Sequence, residues 1–258
     1  MKGVLLAMSP ECRRSLLVTA ILLLAVCMVA PAMAATTSVE IRKYANDGTT
    51  ILNSTTVNYT WMMDNLPVMG DGITHYYHQG PVFIDDPDPA KQAALRWNPE
   101  EDTNVQEKDM GAVKGTNLAD LCNLVGGMGP EDVLKIRSSD GWYKTLPYKN
   151  VFEYSSREGP IIICWNKDGR YPDTGYTDGM RMVWFADTST NPWGIHAFGV
   201  WDWHEAADEE YWYYYQQGNE KYPTTTGLSG CISLRYSYTA RKSRQEASRS
   251  LQLLRVPG

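Results

Sequence analysis

Asp-Gly turns punctuate this chain, among them "NDGT" at 46–49, "SDGW" at 139–142 and "KDG" at 167–169. An Asp-Gly pair readily takes the positive φ angles that tight hairpins need. The turns are flanked by runs rich in β-branched and aromatic residues, which favour extended backbone. "VEIRKY", "TVNYTWMM" (a strand or a short helix start), "ITHYYHQGPVF", "VLKIR", "WYKTLPY", "GPIIICWNK", "GMRMVWFAD", "AFGVWDWHE" and "GCISLRYSYT" all read as extended. In "AFGVWDWHE", Phe198, Val200 and Asp202 would then share one face. Helical signals are few. "KGTNLADLCNLVGG" places Leu118, Leu121, Cys122 and Val125 on one face, with Asn117 as cap and Gly126-Gly127 as stop. "AKQAALRW" predicts one helical turn. The fold class that follows is α+β: a β-rich mixed sheet with short helices.

The chain opens with a leader pattern. Lys2, Arg13 and Arg14 precede the apolar run Ser15–Ala30, and "PAMAA" offers small residues for cleavage after Ala34. Residues 1–34 are therefore read as a signal peptide and the protein as exported, extracellular or at the cell surface. The apolar run is short of the roughly 20 residues of a spanning helix. Membrane attachment would come only through an uncleaved N-terminal anchor. On an exported chain, "NST" at Asn53 and "NYT" at Asn58 are acceptors for glycosylation.

Residues 35–239 form a single domain in this reading, with an acidic, proline-interrupted insertion near 85–109 and a basic, polar tail at 240–258, expected to be disordered or weakly helical. The domain carries a net charge near −12 and the tail about +4. So acidic a body repels phosphate backbones, which excludes nucleic acid as a partner. Asp85, Asp86 and Asp88 cluster as hard-cation ligands do, without the spacing of an EF-hand. Behind the leader stand Cys122, Cys164 and Cys231. They have no CxxC spacing, allow at most one disulfide, and Cys122 and Cys164 lie in apolar stretches typical of buried thiols.

The chain has only four histidines, and all lie in two aromatic clusters: His75 and His78 in "THYYHQG", His196 and His204 in "WGIHAFGVWDWHE". Imidazole is a common metal ligand. His75 and His78, three apart, share a face on a helix and point to opposite faces on a strand. His196 and His204, eight apart, share a face on an unbroken strand. Asp202 and Glu205 stand where second-shell carboxylates would orient them. These four are the candidate metal residues. The other reading is packing, with imidazoles as polar handles among Tyr and Trp. The same two readings apply to "EEYWYYYQQ" at 209–217, whose rings either stack on a ligand or cover a core.

The order of motifs from 113 to 205 resembles the molybdopterin-binding domain of the sulfite oxidase family. Gly115, Leu118 and Leu121 match its G-x-x-L helix. Ser138, Asp140 and Gly141 match its S-x-D-G-Y hairpin, with Trp142 for Tyr. Cys164-Trp165 stands for Ala-Tyr ahead of Asp168-Gly169, and Met180, Arg181, Met182 and Val183 match its last strand. "TVNYTWMMDNLPV" resembles the family's early strand and helix start. The resemblance implies the sulfite oxidase-type fold, molybdopterin as cofactor and oxidoreductase chemistry. In active members a cysteine thiolate binds molybdenum from the segment that corresponds to residues 66–114, and this chain has no cysteine there. A soft thiolate is not replaced by amides or carbonyls. Two functions follow as expectations: a module binding a small molecule or a cell-surface partner on a scaffold without the thiolate centre, or a divergent molybdopterin- or metal-dependent oxidoreductase. No nucleophile elbow, H-E-x-x-H helix or P-loop is present.

Overall fold

The computed structural model describes residues 35–98, 108–138, 141–188 and 194–230, together with the backbone of 236–240. The leader, residues 99–107 of the acidic insertion, Cys231 and the basic tail beyond Ala240 lie outside the described residues.

The alternation of side chains along two central strands organises the core. Strand β8 (Ile161–Lys167) is buried along nearly its whole length. Its odd residues Ile161, Ile163 and Trp165 enter the main core, and its even residues Ile162 and Cys164 enter a smaller second core. Strand β9 (Arg181–Trp184) pairs antiparallel with β8 and divides the same way, Met182 and Trp184 to one side and Val183 to the other. A sheet covered on both faces reads as the continuous apolar run "PIIICW".

Strand order in this second sheet is β10 (His196–Phe198), β4 (His75–His78), β5 (Asp109–Asn117), β8, β9, with the short β3 (Val68–Met69) also on β5. The first sheet runs β2 (Ile51–Asn58), β1 (Ser38–Tyr44), β13 (Tyr236–Ala240), β6 (Asp132–Arg137), β7 (Tyr143–Pro147). Among the described residues only β1–β13 and β10–β4 pair in parallel. A hairpin of β11 (Tyr214–Gln217) and β12 (Glu220–Pro223) stands apart. The main core joins Val39, Ile41, Leu134, Ile136 and Leu146 of the first sheet to Ile163, Trp165 and Trp184 of the second. Sheets and hairpin belong to one compact unit beginning at Ala35. The protein is thus mixed α+β and strand-rich with short helices.

The Asp-Gly turns perform as expected where they are described. Asp168 and Gly169 have φ of 52° and 76°, a pair of left-handed residues that lets Lys167 and Arg170 exchange backbone hydrogen bonds. Asp47 accepts the N–H groups of Thr49 and Thr50 at 2.8 Å each. Strands β6 and β7 form the expected hairpin, with Arg137 opposite Tyr143; Ser139 and Asp140 of its turn lie outside the described residues.

Among the described residues five short α-helices complete the unit: α1 (Tyr59–Asn65), α2 (Pro89–Trp97), α3 (Leu118–Asn123), α4 (Tyr148–Phe152) and α5 (Val200–Ala206). "TVNYTWMM" resolves into both of its readings, β2 ending at Asn58 and α1 starting after it, with the Asn58 side chain accepting the Trp61 N–H at 2.7 Å. Helix α3 is shorter than the periodicity suggests. Asn117 does cap it, but Lys114–Asn117 remain in β5. A Cβ on Gly115 would stand 2.3 Å from the Ile163 carbonyl oxygen, so glycine lets β5 press against β8 there. Helix α2 is longer than one turn because Asp88 accepts the Ala90 N–H at 2.9 Å and Pro89 opens it.

"AFGVWDWHE" requires the largest correction. It is a strand only through Phe198; α5 begins at Val200. Two contacts turn the chain. The Gly199 N–H donates to Asp202 Oδ2 at 2.8 Å, half of a capping box, and the Val200 N–H donates to the buried Gln79 side-chain oxygen at 2.8 Å. Alternation between Phe198, Val200 and Asp202 does not apply.

Candidate functional site

The strand geometry of β4 separates His75 from His78. His75 faces solvent, and its Nδ1 lies 2.7 Å from Asp109 Oδ2. His78 is fully buried, edge-on to Trp184 and Phe198, with Nε2 accepting the Trp184 N–H at 3.3 Å. Burial, then the nearby Arg181 charge, pulls its pKa down to about 3, so it is neutral. His196 sits on β10 beside β4. Its ring packs on Tyr76 at 5.3 Å, with Nδ1 2.8 Å from the Ala186 carbonyl oxygen. His204 lies on α5, stacked at 4.8 Å on Trp97 and held by Trp212 (4.2 Å) and Trp201 (5.3 Å).

Strand β10 thus joins His196 to the first cluster, while the turn into helix removes His204. The carboxylates suggested as orienting groups do other work. Asp202 caps α5 and binds Arg157, and Glu205 Oε1 stands 3.8 Å from His204 Nδ1, beyond a hydrogen bond. Among the described residues no three His, Cys, Asp or Glu side chains come together to hold a metal ion. The acidic triplet is likewise taken up. Asp85 pairs with Arg96, Asp86 with Lys91 at 2.8 Å, and Asp88 caps α2. The aromatic run 209–217 divides between core and surface, with Tyr211 buried and Tyr215 exposed.

The arrangement with chemical potential is elsewhere, in a cleft of 560 Å³ between α4, the segment 153–158 and α5. That size suits a small molecule. At its base Asn150 of α4 donates its side-chain amide to Glu158 Oε1 at 2.9 Å and to the Ala206 carbonyl at 3.0 Å, linking both sides. Glu158 precedes Gly159 at the entrance to β8 and is only 2% exposed. Burial pushes its carboxyl up to about 8, partly offset by the Asn150 hydrogen bond, so at neutral pH it is mainly protonated. Gly159 fixes this placement. It has a φ of 71°, and a Cβ there would stand 2.0 Å from the Phe185 carbonyl oxygen.

Arg157 forms one wall. Its Nη2 and Nε donate to Asp202 Oδ1 at 2.8 and 3.1 Å. Trp201, half-buried on α5, also lines the cleft. A buried acid of raised pKa beside an Arg–carboxylate pair, in a cleft with an aromatic wall, is the pattern of a binding or reaction site.

Sequence reasoning did not single out Asn150, Arg157 or Glu158. The available signal was an acid shortly before an apolar run, "REGPIIICW". Asp202 and Trp201 were visible, but as parts of a strand. No family model matches the chain, and no curated protein matches it.

Proposed function

We propose that the chain is an exported, cell-surface domain that binds a small molecule in the cleft between α4 and α5, on a sulfite oxidase-type scaffold whose thiolate-ligated molybdenum centre has been lost. The observation that carries this reading is the state of the thiols. In the family that the motifs resemble, the protein ligand to molybdenum is a thiolate, and the metal must be able to reach it. Residues 66–114 contain no cysteine. Cys122 and Cys164 are free but buried, in the main and the second core respectively. Burial pushes the Cys122 thiol up to about 12 and the Cys164 thiol well above its ordinary value. The third cysteine, Cys231, lies outside the described residues. These donors do not fit a molybdopterin-bound molybdenum, and no chemistry is routed through one.

The strand-rich α+β architecture is of the class the family resemblance implies, and the specific family fold is part of this proposal. Export rests on the leader pattern of residues 1–34. The exclusion of nucleic acid rests on the acidic body. Among the described residues no helix is long and apolar enough to cross a membrane, so attachment at the surface would use the N-terminal run. The oxidoreductase alternative draws on the order of the family motifs and needs a metal ligand other than the two buried thiols.

Mass spectrometry of the protein from its own host, under native and then denaturing conditions, tests the binding role. The expected result is a stoichiometric organic ligand released on denaturation. Release of a pterin would contradict the reading.

A further inference from the structure

At the base of the α4–α5 cleft one buried acceptor is left without a donor. Both bonds of the Asn150 amide nitrogen are used within the protein. Its oxygen, Oδ1, is buried without a partner, on a residue only 1% exposed. Buried amide oxygens ordinarily find a donor from the protein, a water or a ligand. Glu158 lies beside it. Glu153 and Glu205 stand exposed on the rim. The two cations of the cleft are already engaged, Arg157 with Asp202 and Asp187, and Lys149 with Asp208 at 3.5 Å. The cleft therefore carries unbalanced negative charge at its mouth and an unanswered acceptor at its base.

Trp201 completes the arrangement. Its ring rests on His204, which is itself held between Trp97 and Trp212. The indole is thus a supported wall that offers a cation the negative face of an aromatic ring. An anion would meet the carboxylates. A hard metal ion would need more converging oxygens than the described residues assemble. What answers all three features is a positively charged group with several N–H donors and an apolar body.

We propose that this cleft binds the primary ammonium group of a small organic amine, with Asn150 Oδ1 receiving one of its N–H donors, the rim carboxylates of Glu153 and Glu205 answering its charge and Trp201 covering its apolar part. This deepens the small-ligand reading above and rests on it.

Phenethylamine, cationic at neutral pH, is the probe, titrated calorimetrically into the full protein. 2-Phenylethanol and phenylacetate serve as neutral and anionic counterparts of similar shape. Saturable one-to-one binding of the amine is expected, with the alcohol at least tenfold weaker and phenylacetate not bound. The surface double variant Glu153→Gln/Glu205→Gln, which leaves the buried base intact, should weaken the amine about tenfold, and Trp201→Ala similarly. No saturable amine binding, an alcohol bound equally well, or a double variant with unchanged affinity would each overturn the proposal. Phenylacetate bound in preference would overturn the amine assignment while leaving a small-ligand cleft. A molybdenum-pterin found in the protein would remove the parent reading whatever the amine titration showed.

Discussion

Asn150 and Glu158 meet at 2.9 Å, amide nitrogen to carboxyl oxygen, and both are buried where α4 approaches the entrance to β8. The contact links two segments that sequence alone leaves unconnected. It also holds an acid in surroundings that disfavour its charge, the usual mark of a site kept for something other than stability.

The Glu158 carboxyl makes stability depend on pH in a definite direction. Its folded pKa, about 8, is above the ordinary 4.5. Its contribution is therefore fully present below pH 4.5 and is lost as pH rises toward 8. Glu158→Gln keeps the hydrogen bond to Asn150 and removes the ionisation. Denaturant unfolding at pH 7 should show the variant more stable by about 3 kcal/mol, with no difference near pH 4. A variant less stable at pH 7 would mean that the carboxylate is charged and supported in the fold.

His78 acts in the opposite sense. Burial lowers its pKa to about 3 from 6.5. Its contribution is present above pH 6.5 and is lost as pH falls through the folded value. In the Glu158→Gln background, which removes the opposing effect, unfolding free energy should fall between pH 6.5 and 3. The limit from this one group is about 5 kcal/mol. An NMR resonance assigned to the His78 imidazole and titrating near 6 would show that His78 reaches solvent.

Cys122 and Cys164 should resist iodoacetamide in the native protein and react in guanidinium. Peptide-level mass spectrometry separates them from Cys231. Rapid native labelling of either would remove the main support for a scaffold without an available thiolate.

Gly159→Ala tests the turn that places Glu158. The substitution adds a Cβ where φ is 71° and the Phe185 carbonyl stands 2.0 Å away. A loss of about 3 kcal/mol or more is expected by thermal or denaturant unfolding. The nearby Gly169→Ala, also at positive φ but with open space around its Cβ, should cost less.

Much of this fold is legible because its signals are local. The Asp-Gly turns, the Asn117 cap and the apolar run of β8 depend on residues adjacent in sequence. The segment after Phe198 was not legible. Its helix is started by Gln79, 121 residues earlier, accepting the Val200 N–H, and no periodicity within "AFGVWDWHE" records that contact. The cleft escaped for the same reason. Asn150 and Glu158 are ordinary residues until α4 and the approach to β8 bring them together and exclude water. The histidines were conspicuous by composition, but their separation followed from strand geometry at β4 and from the helix that begins at Val200. The acidic triplet was legible as a cluster. Its partners, Arg96 and Lys91, appear only once α2 has formed.

On the function proposed above, this domain works without a thiolate-bound molybdenum centre. Elemental analysis for molybdenum and tungsten, with pterin fluorescence, on the protein purified from its own host is the decisive measurement. Neither metal at stoichiometric level and no pterin is the expected result. Either metal near one per chain together with a pterin would contradict the proposal.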